Sequence, residues 1–140
     1  MWAIDQSPAA LEQARERSVR EGRGNITFLR EDLHRLSLPA SALDLVVISQ
    51  SLHHVESPPA VLAEAARILK PGGKLVLLEL MPHDERWVRE RLGHKHQGFA
   101  PESLESSLRE VGFGSLTRET HAREGASPFR VFLLTGVKAP

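Results

Sequence analysis

Short apolar segments that close on a polar side chain alternate along this chain with longer amphipathic stretches, and that alternation restricts the fold more than any other property of the sequence. Met1-Trp2-Ala3-Ile4 closes on Asp5, and Asn25-Ile26-Thr27-Phe28-Leu29 runs into Arg30-Glu31-Asp32-Leu33. Leu43 to Ile48 closes on Ser49, and Lys74 to Leu80 is a further apolar run. Such β-branched and aromatic runs favour strands. Between them lie helical patterns with legible ends. Ser7-Pro8 puts a hydroxyl at an N-cap and a proline at the first helical position, where a missing N–H is harmless. Leu11, Ala14 and Val19 mark the inner stripe of that helix, and Gly22 and Gly24 stop it. Pro58-Pro59 opens a second helix, with Val61, Leu62, Ala65, Ile68 and Leu69 at helical spacing and Pro71-Gly72-Gly73 ending it. A charged helix over roughly His83 to Leu92 is expected to pair Glu85 with Arg89 and Arg86 with Glu90 and to bury Trp87 and Val88. Another begins near Pro101-Glu102, with Leu104, Leu108 and Val111 on its apolar face and Gly112 at its end.

Strands joined through such helices require right-handed crossovers, hence a mostly parallel sheet with helices on both faces. Leu43 to Ser49, nearly all apolar, reads as a strand covered on both sides. Two C-terminal segments, about Ser115 to His121 and Phe129 to Val137, read as an antiparallel hairpin across Glu124-Gly125-Ala126-Ser127-Pro128. The expected class is α/β, with one domain over residues 1–140. In such sheets ligands sit beyond the carboxyl ends of the strands, which nominates Asp5, Asp32 and Ser49 with their followers.

Lys plus Arg and Asp plus Glu number 18 each, so no long-range field draws the chain to nucleic acid or to an anionic membrane. Aromatic residues make up 5% of the chain and include no Tyr, which leaves little stacking surface for single-stranded nucleic acid. The absence of cysteine excludes disulfides, thiolate nucleophiles and cysteine zinc sites, and suits a reducing compartment. No apolar run approaches the roughly 20 residues of a membrane span, and the N-terminus lacks the features of a signal peptide. A soluble, cytoplasmic chain is expected.

Asp5, at a strand end, can accept two hydrogen bonds from the vicinal hydroxyls of a ribose, or it merely starts the following turn. Asp32 and the backbone N–H of Leu33 can read an amino-substituted purine edge, or Asp32 caps a local turn. Ser49-Gln50-Ser51-Leu52-His53-His54 follows the most apolar strand, where small hydroxyl side chains admit a ligand close to the backbone. His54 is placed for a polar contact or for proton acceptance near a substrate, because imidazole titrates near neutral pH; the alternative is a histidine that caps or packs. No metal is expected. His53 and His54 are adjacent with no carboxylate at ligand spacing, and His83, His94 and His96 with Asp84 and Glu85 fit no ligand pattern. The glycines of Pro71-Gly72-Gly73 lie between a helix and a strand, the wrong edge for a phosphate.

Ala3-Ile4-Asp5-Gln6-Ser7-Pro8, Arg30-Glu31-Asp32-Leu33, Leu43 to Val55 and above all Ala66-Arg67-Ile68-Leu69-Lys70-Pro71-Gly72-Gly73-Lys74-Leu75 resemble the class I S-adenosylmethionine-dependent methyltransferases of the small-molecule type. The resemblance covers nearly the whole chain. Met81 to Phe99 is similar to methyltransferases fused behind ArsR-type winged-helix regulators, a narrower match. The resemblance implies a Rossmann-like methyltransferase sheet, mostly parallel with a C-terminal antiparallel hairpin. It implies that Asp5 holds the ribose, that Gln6 lies beside the adenosine, and that Asp32 with Leu33 holds adenine. Ser49 and Gln50 would face the methionine part of the cofactor, with His54 as the catalytic candidate and a small-molecule acceptor bound by Leu52 to Glu56 and Met81 to Phe99. It also implies that the family's first strand, glycine-rich turn and next helix are missing here. The chain is therefore expected to be an N-terminally truncated domain, with weakened cofactor binding and exposed strand edges open to self-association.

Two other classes compete with this reading. One is a non-catalytic interaction or regulatory module derived from a methyltransferase, its open edges joined to a partner. The other is a nicotinamide-dependent oxidoreductase, which Asp5 alone would serve equally well. The adenine motif and the Ile68 to Gly73 stretch favour the methyl donor.

Overall fold

The computed structural model describes residues 1–122 and 127–140, so Glu124-Gly125-Ala126 of the expected hairpin connection lie outside the described residues. The chain divides into two compact units, Met1–Ser37 and Leu38–Pro140. Each is built on its own sheet.

The first unit consists of β1 (Trp2–Asp5), α1 (Pro8–Arg20) and β2 (Thr27–Arg30). β1 and β2 pair in parallel from Trp2↔Thr27 to Asp5↔Arg30, the right register for a β-α-β crossover. Ser7 Oγ accepts from Ala10 N–H at 3.2 Å, so the predicted N-cap forms. Beyond the helix, Gly22 takes φ +66°, which glycine adopts without steric cost. The inner stripe differs from the expected one. Leu11 and Ser18 are buried, whereas Ala14 is exposed and Val19 is 75% exposed. Two strands of four residues offer a narrow surface, and a single row at i and i+7 fills it. Ser18 tolerates burial because its Oγ donates to Arg15 O at 2.8 Å.

The second unit holds β3 (Leu43–Ser49), α2 (Pro58–Ile68), β4 (Leu69–Leu80), α3 (Trp87–Leu92), α4 (Pro101–Glu110), β5 (Phe113–Ala122) and β6 (Arg130–Lys138). The strand order is β3-β4-β6-β5. β3 and β4 are parallel, while β6 runs antiparallel to both β4 and β5, so the expected C-terminal hairpin is present with β6 as its inner strand. Leu62, Leu69, Leu75, Leu77, Leu108, Phe132 and Leu134 fill the core at 1% exposure or less.

Three expectations about this unit are corrected. β3 is not covered on both faces: Leu45 and Val47 are 53% and 59% exposed, and only Ile48 is buried. The strand ends its sheet, so its apolar run is not enclosed. Pro71-Gly72-Gly73 lies inside β4, where the ladder shifts between the Leu43↔Leu69 and Leu45↔Lys74 pairs. Gly73 is required there, since a Cβ would stand 2.8 Å from Lys70 O. The charged helix starts at Trp87 instead of near His83. Ahead of it the chain is engaged elsewhere, with Met81 N–H on Arg130 O (2.9 Å) and His83 N–H on Gln97 O (3.1 Å). Glu85 therefore takes Trp87 Nε1–H at 2.6 Å, and neither expected i,i+4 pair forms among the described residues. Val88 is fully buried, but Trp87 is 39% exposed.

The segment 81–98 leaves the sheet and returns to its point of departure. Phe99 N–H donates to Leu80 O at 2.9 Å, closing the neck. Gly98 crosses Met81 there at φ +78°, so close that a Cβ would fall 2.0 Å from Met81 O. No helix among the described residues is long and apolar enough to cross a membrane.

Candidate functional site

In the first unit, Asp5 ends β1 and so stands where a parallel strand presents a side chain to a ligand. Its Oδ1 accepts Ser7 N–H at 2.8 Å, which fixes the carboxylate at the mouth of the turn. Its second oxygen has no hydrogen bond among the described residues. The turn-starting and ligand-holding readings of Asp5 are thus compatible, since each uses a different oxygen. Gln6 is exposed, and its carbonyl accepts from Arg30 Nε–H at 3.3 Å, tying the ends of β1 and β2 together. Asp32 does form a local turn: its Oδ1 accepts His34 N–H at 2.9 Å and lies 2.6 Å from His34 Nδ1. These contacts, the backbone one first, hold its carboxyl below the usual carboxylate range. Leu33 is half-buried beside it.

In the second unit, Ser49 is exposed at the end of β3. Gln50 N–H donates to Leu78 O at 2.8 Å, while Gln50 itself sits in the left-handed region at φ +48°. A non-glycine residue there is strained, and such strain clusters at ligand-contacting turns. Ser51 Oγ–H closes the turn on Ser49 O at 3.0 Å. A single 3₁₀ turn, Leu52–His54, follows, with Leu52 and His53 buried and His54 exposed.

Two segments that are far apart in sequence meet at this turn. Lys95 N–H and His96 N–H both donate to His53 O, at 2.8 and 3.1 Å. His96 Nε2 lies 3.0 Å from Val55 O, and Lys95 Nζ pairs with Glu56. Leu52 to Glu56 and Met81 to Phe99, which the resemblance nominates separately as acceptor-binding, therefore form one structure. Beside it lies an open cleft of about 490 Å³ lined by Glu56, Arg89, His94, Lys95 and His96.

The rings of His53, His54 and His94 pack against one another, with centroids 4.4 Å (53 to 54), 4.2 Å (53 to 94) and 4.7 Å (54 to 94) apart. Beneath them is Glu79, fully buried in β4. Its Oε1 lies 2.6 Å from His53 Nδ1 and accepts Leu80 N–H at 2.8 Å, and its Oε2 accepts His53 N–H at 3.3 Å. A buried carboxylate is tolerated only with such partners. Sequence reasoning missed Glu79, although a lone acid inside the apolar run Leu75 to Leu80 is the signal that would have found it. It also missed that His94 joins His53 and His54. No linear spacing encodes that contact.

A family model for the methyltransferase domain matches residues 1–77. The chain belongs to the methyltransferase-domain family. Among curated methyltransferases, the ubiquinone/menaquinone biosynthesis C-methyltransferase UbiE of Pseudomonas putida is 36% identical over 76 residues, which cover 54% of this chain and 30% of that enzyme. The chain thus spans about a third or less of the length of the curated relatives it matches. Solved structures match far more of it. The [4+2]-cyclase SpnF superposes on 99% of this chain and 66% of its own, with a TM-score of 0.80 at 22% identity. The CurJ carbon methyltransferase covers 99% of this chain and 41% of its own, with a TM-score of 0.81 at 18% identity. At these identities the likeness establishes the Rossmann-like methyltransferase fold.

Proposed function

We propose that the chain takes part in methyl transfer from S-adenosylmethionine to a small-molecule acceptor in the cytoplasm. The observation that carries this reading is Asp5, at the carboxyl end of a parallel strand inside the stretch matched by the family model, with one carboxylate oxygen spoken for and the other available. That arrangement fits a ribose diol. Asp32 and Leu33 fit an adenine edge more narrowly, since Asp32 Oδ1 is occupied by His34 and the remaining oxygen must do the reading. Ser49 and Gln50 are assigned to the methionine part, where the strained turn brings backbone within reach of a ligand.

Bound S-adenosylmethionine supplies a sulfonium methyl for in-line displacement, a chemistry in which proximity and alignment provide most of the acceleration. The chain's own part is to position the acceptor. The joined segments Leu52 to Glu56 and Met81 to Phe99 form that surface; with Lys95 paired to Glu56, Arg89 is the cation in its cleft that favours an acceptor with an anionic or strongly polar group. His54, exposed at this edge, is assigned proton acceptance from the acceptor.

Calorimetric titration with S-adenosylhomocysteine, on this chain and on a version extended upstream, tests the reading. Asp5→Ala is expected to weaken binding by roughly 1.5 to 3 kcal/mol, the range for hydrogen bonds to a charged group. That corresponds to about 10- to 150-fold in Kd. Unchanged affinity would remove Asp5 from the site, and no binding by either form would overturn the enzyme reading.

A second reading is supported by the exposed Leu45 and Val47 on a strand that ends its sheet. Such a surface favours self-association. Light scattering at rising concentration should then report an oligomer that Val47→Lys abolishes; a monomer throughout would dismiss it.

A further inference from the structure

We propose that His53, His54 and His94 bind a divalent transition-metal cation of the zinc class, oriented by Glu79 behind His53 and left with one coordination position toward the cleft. One ligand atom from each histidine lies within 4.8 Å of the others. Zinc–nitrogen bonds of about 2.0–2.1 Å require shifts of only about an ångström from that starting triangle. The site stands on this geometry whether or not the chain transfers methyl groups, and with the cation bound His54 serves as a ligand in place of the proton acceptance assigned to it above.

Each member contributes something a metal requires. Glu79 engages His53 Nδ1 at 2.6 Å, which leaves Nε2 as the ring nitrogen for a cation. Carboxylate, imidazole and metal in that order form the arrangement by which metalloproteins fix the tautomer and raise the basicity of a ligand. Glu79 is itself fully buried and is held by two backbone N–H groups besides, so it acts as a rigid stop. His94, 9% exposed, brings a buried Nδ1 with no hydrogen-bond partner among the described residues. An orphaned buried nitrogen is costly unless something fills the gap, and a cation between three imidazoles does so.

The backbone holds the triangle together independently of the rings. Lys95 and His96 N–H bind His53 O, and His94 N–H reaches Val88 O at 3.3 Å. Three imidazoles with no carboxylate among the ligands select zinc, cobalt, nickel or copper over magnesium and calcium, which take oxygen ligands. A three-histidine set also leaves the fourth tetrahedral position for water or a substrate oxygen.

The test is equilibrium dialysis of the chelator-stripped 140-residue chain against zinc chloride, with cobalt(II) absorption as a readout of coordination. One equivalent of zinc and the visible bands of tetrahedral nitrogen-coordinated cobalt are expected, with no magnesium binding. His94→Gln should weaken zinc binding by about 100-fold, and Glu79→Gln by about 10- to 100-fold as a positioning residue behind a ligand. His121→Ala, on β5, should leave affinity unchanged. Circular dichroism checks that each variant folds, and if Glu79→Gln does not, His94→Gln carries the test. Absence of zinc binding by the folded chain, an octahedral cobalt spectrum, or equal affinity in the His94 variant would overturn the proposal.

Discussion

In Met1–Ser37 only Leu11 and Ser18 are buried and each strand has four residues, whereas Leu38–Pro140 seals nineteen aliphatic and aromatic side chains, among its described residues, around a four-stranded sheet. The residues assigned to the nucleoside therefore stand on a scaffold with almost no core, and the histidine cluster stands on one with a large core. Two-stranded sheets are marginal by themselves. Local opening, which tracks the amount of apolar contact, should accordingly be easy in the first unit and rare in the second.

This contrast can be broken at several points. Phe132→Ala, at a fully buried site in β6, should cost about 4 kcal/mol in urea denaturation, the usual range for emptying an aromatic core position. A loss under 1 kcal/mol would mean the second unit is less tightly built than its burial implies. Glu79→Ala leaves His53 Nδ1 and two backbone N–H groups without their buried acceptor and should cost about 3 kcal/mol. Leu11→Ala should cost about 2 kcal/mol, near the low end for leucine because the site is 8% exposed already. Its effect sharpens the comparison: hydrogen exchange should accelerate in β1 and β2 and stay unchanged in β4. Equal acceleration in all three strands would contradict independent opening. Ser7→Ala, which removes the N-cap of α1, should cost about 1 kcal/mol and act on the same amides.

Much of the fold was legible because its signals are local. Ser7-Pro8 caps α1 as read, Pro58 opens α2, and Pro101 opens α4, since caps depend on a few neighbouring residues. Burial was less legible because it depends on what lies across from a face. Val19 and Leu45 have apolar side chains at the expected spacing, yet neither is covered. The start of α3 was misplaced because long-range hydrogen bonds from Met81 and His83 outweigh helical propensity in 81–86. Asp5 was legible as a strand-end acid. The histidine triangle was not, because His94 reaches His53 across 41 positions through a neck that no periodicity marks.

That neck has a consequence for how such a chain can diversify. With Leu80 and Phe99 hydrogen-bonded and Gly98 locked against Met81, the stretch between them behaves as a cassette whose two ends leave the sheet at one place and whose far side is fastened to the turn at His53. Its length and lettering can be rewritten without disturbing the ladder, and doubling the length of such a loop costs only about 0.6 kcal/mol in closure entropy. Because His94 is the one member of the histidine triangle carried on the cassette, a lineage could gain or discard that cluster, and reshape the adjoining cleft, by editing one stretch.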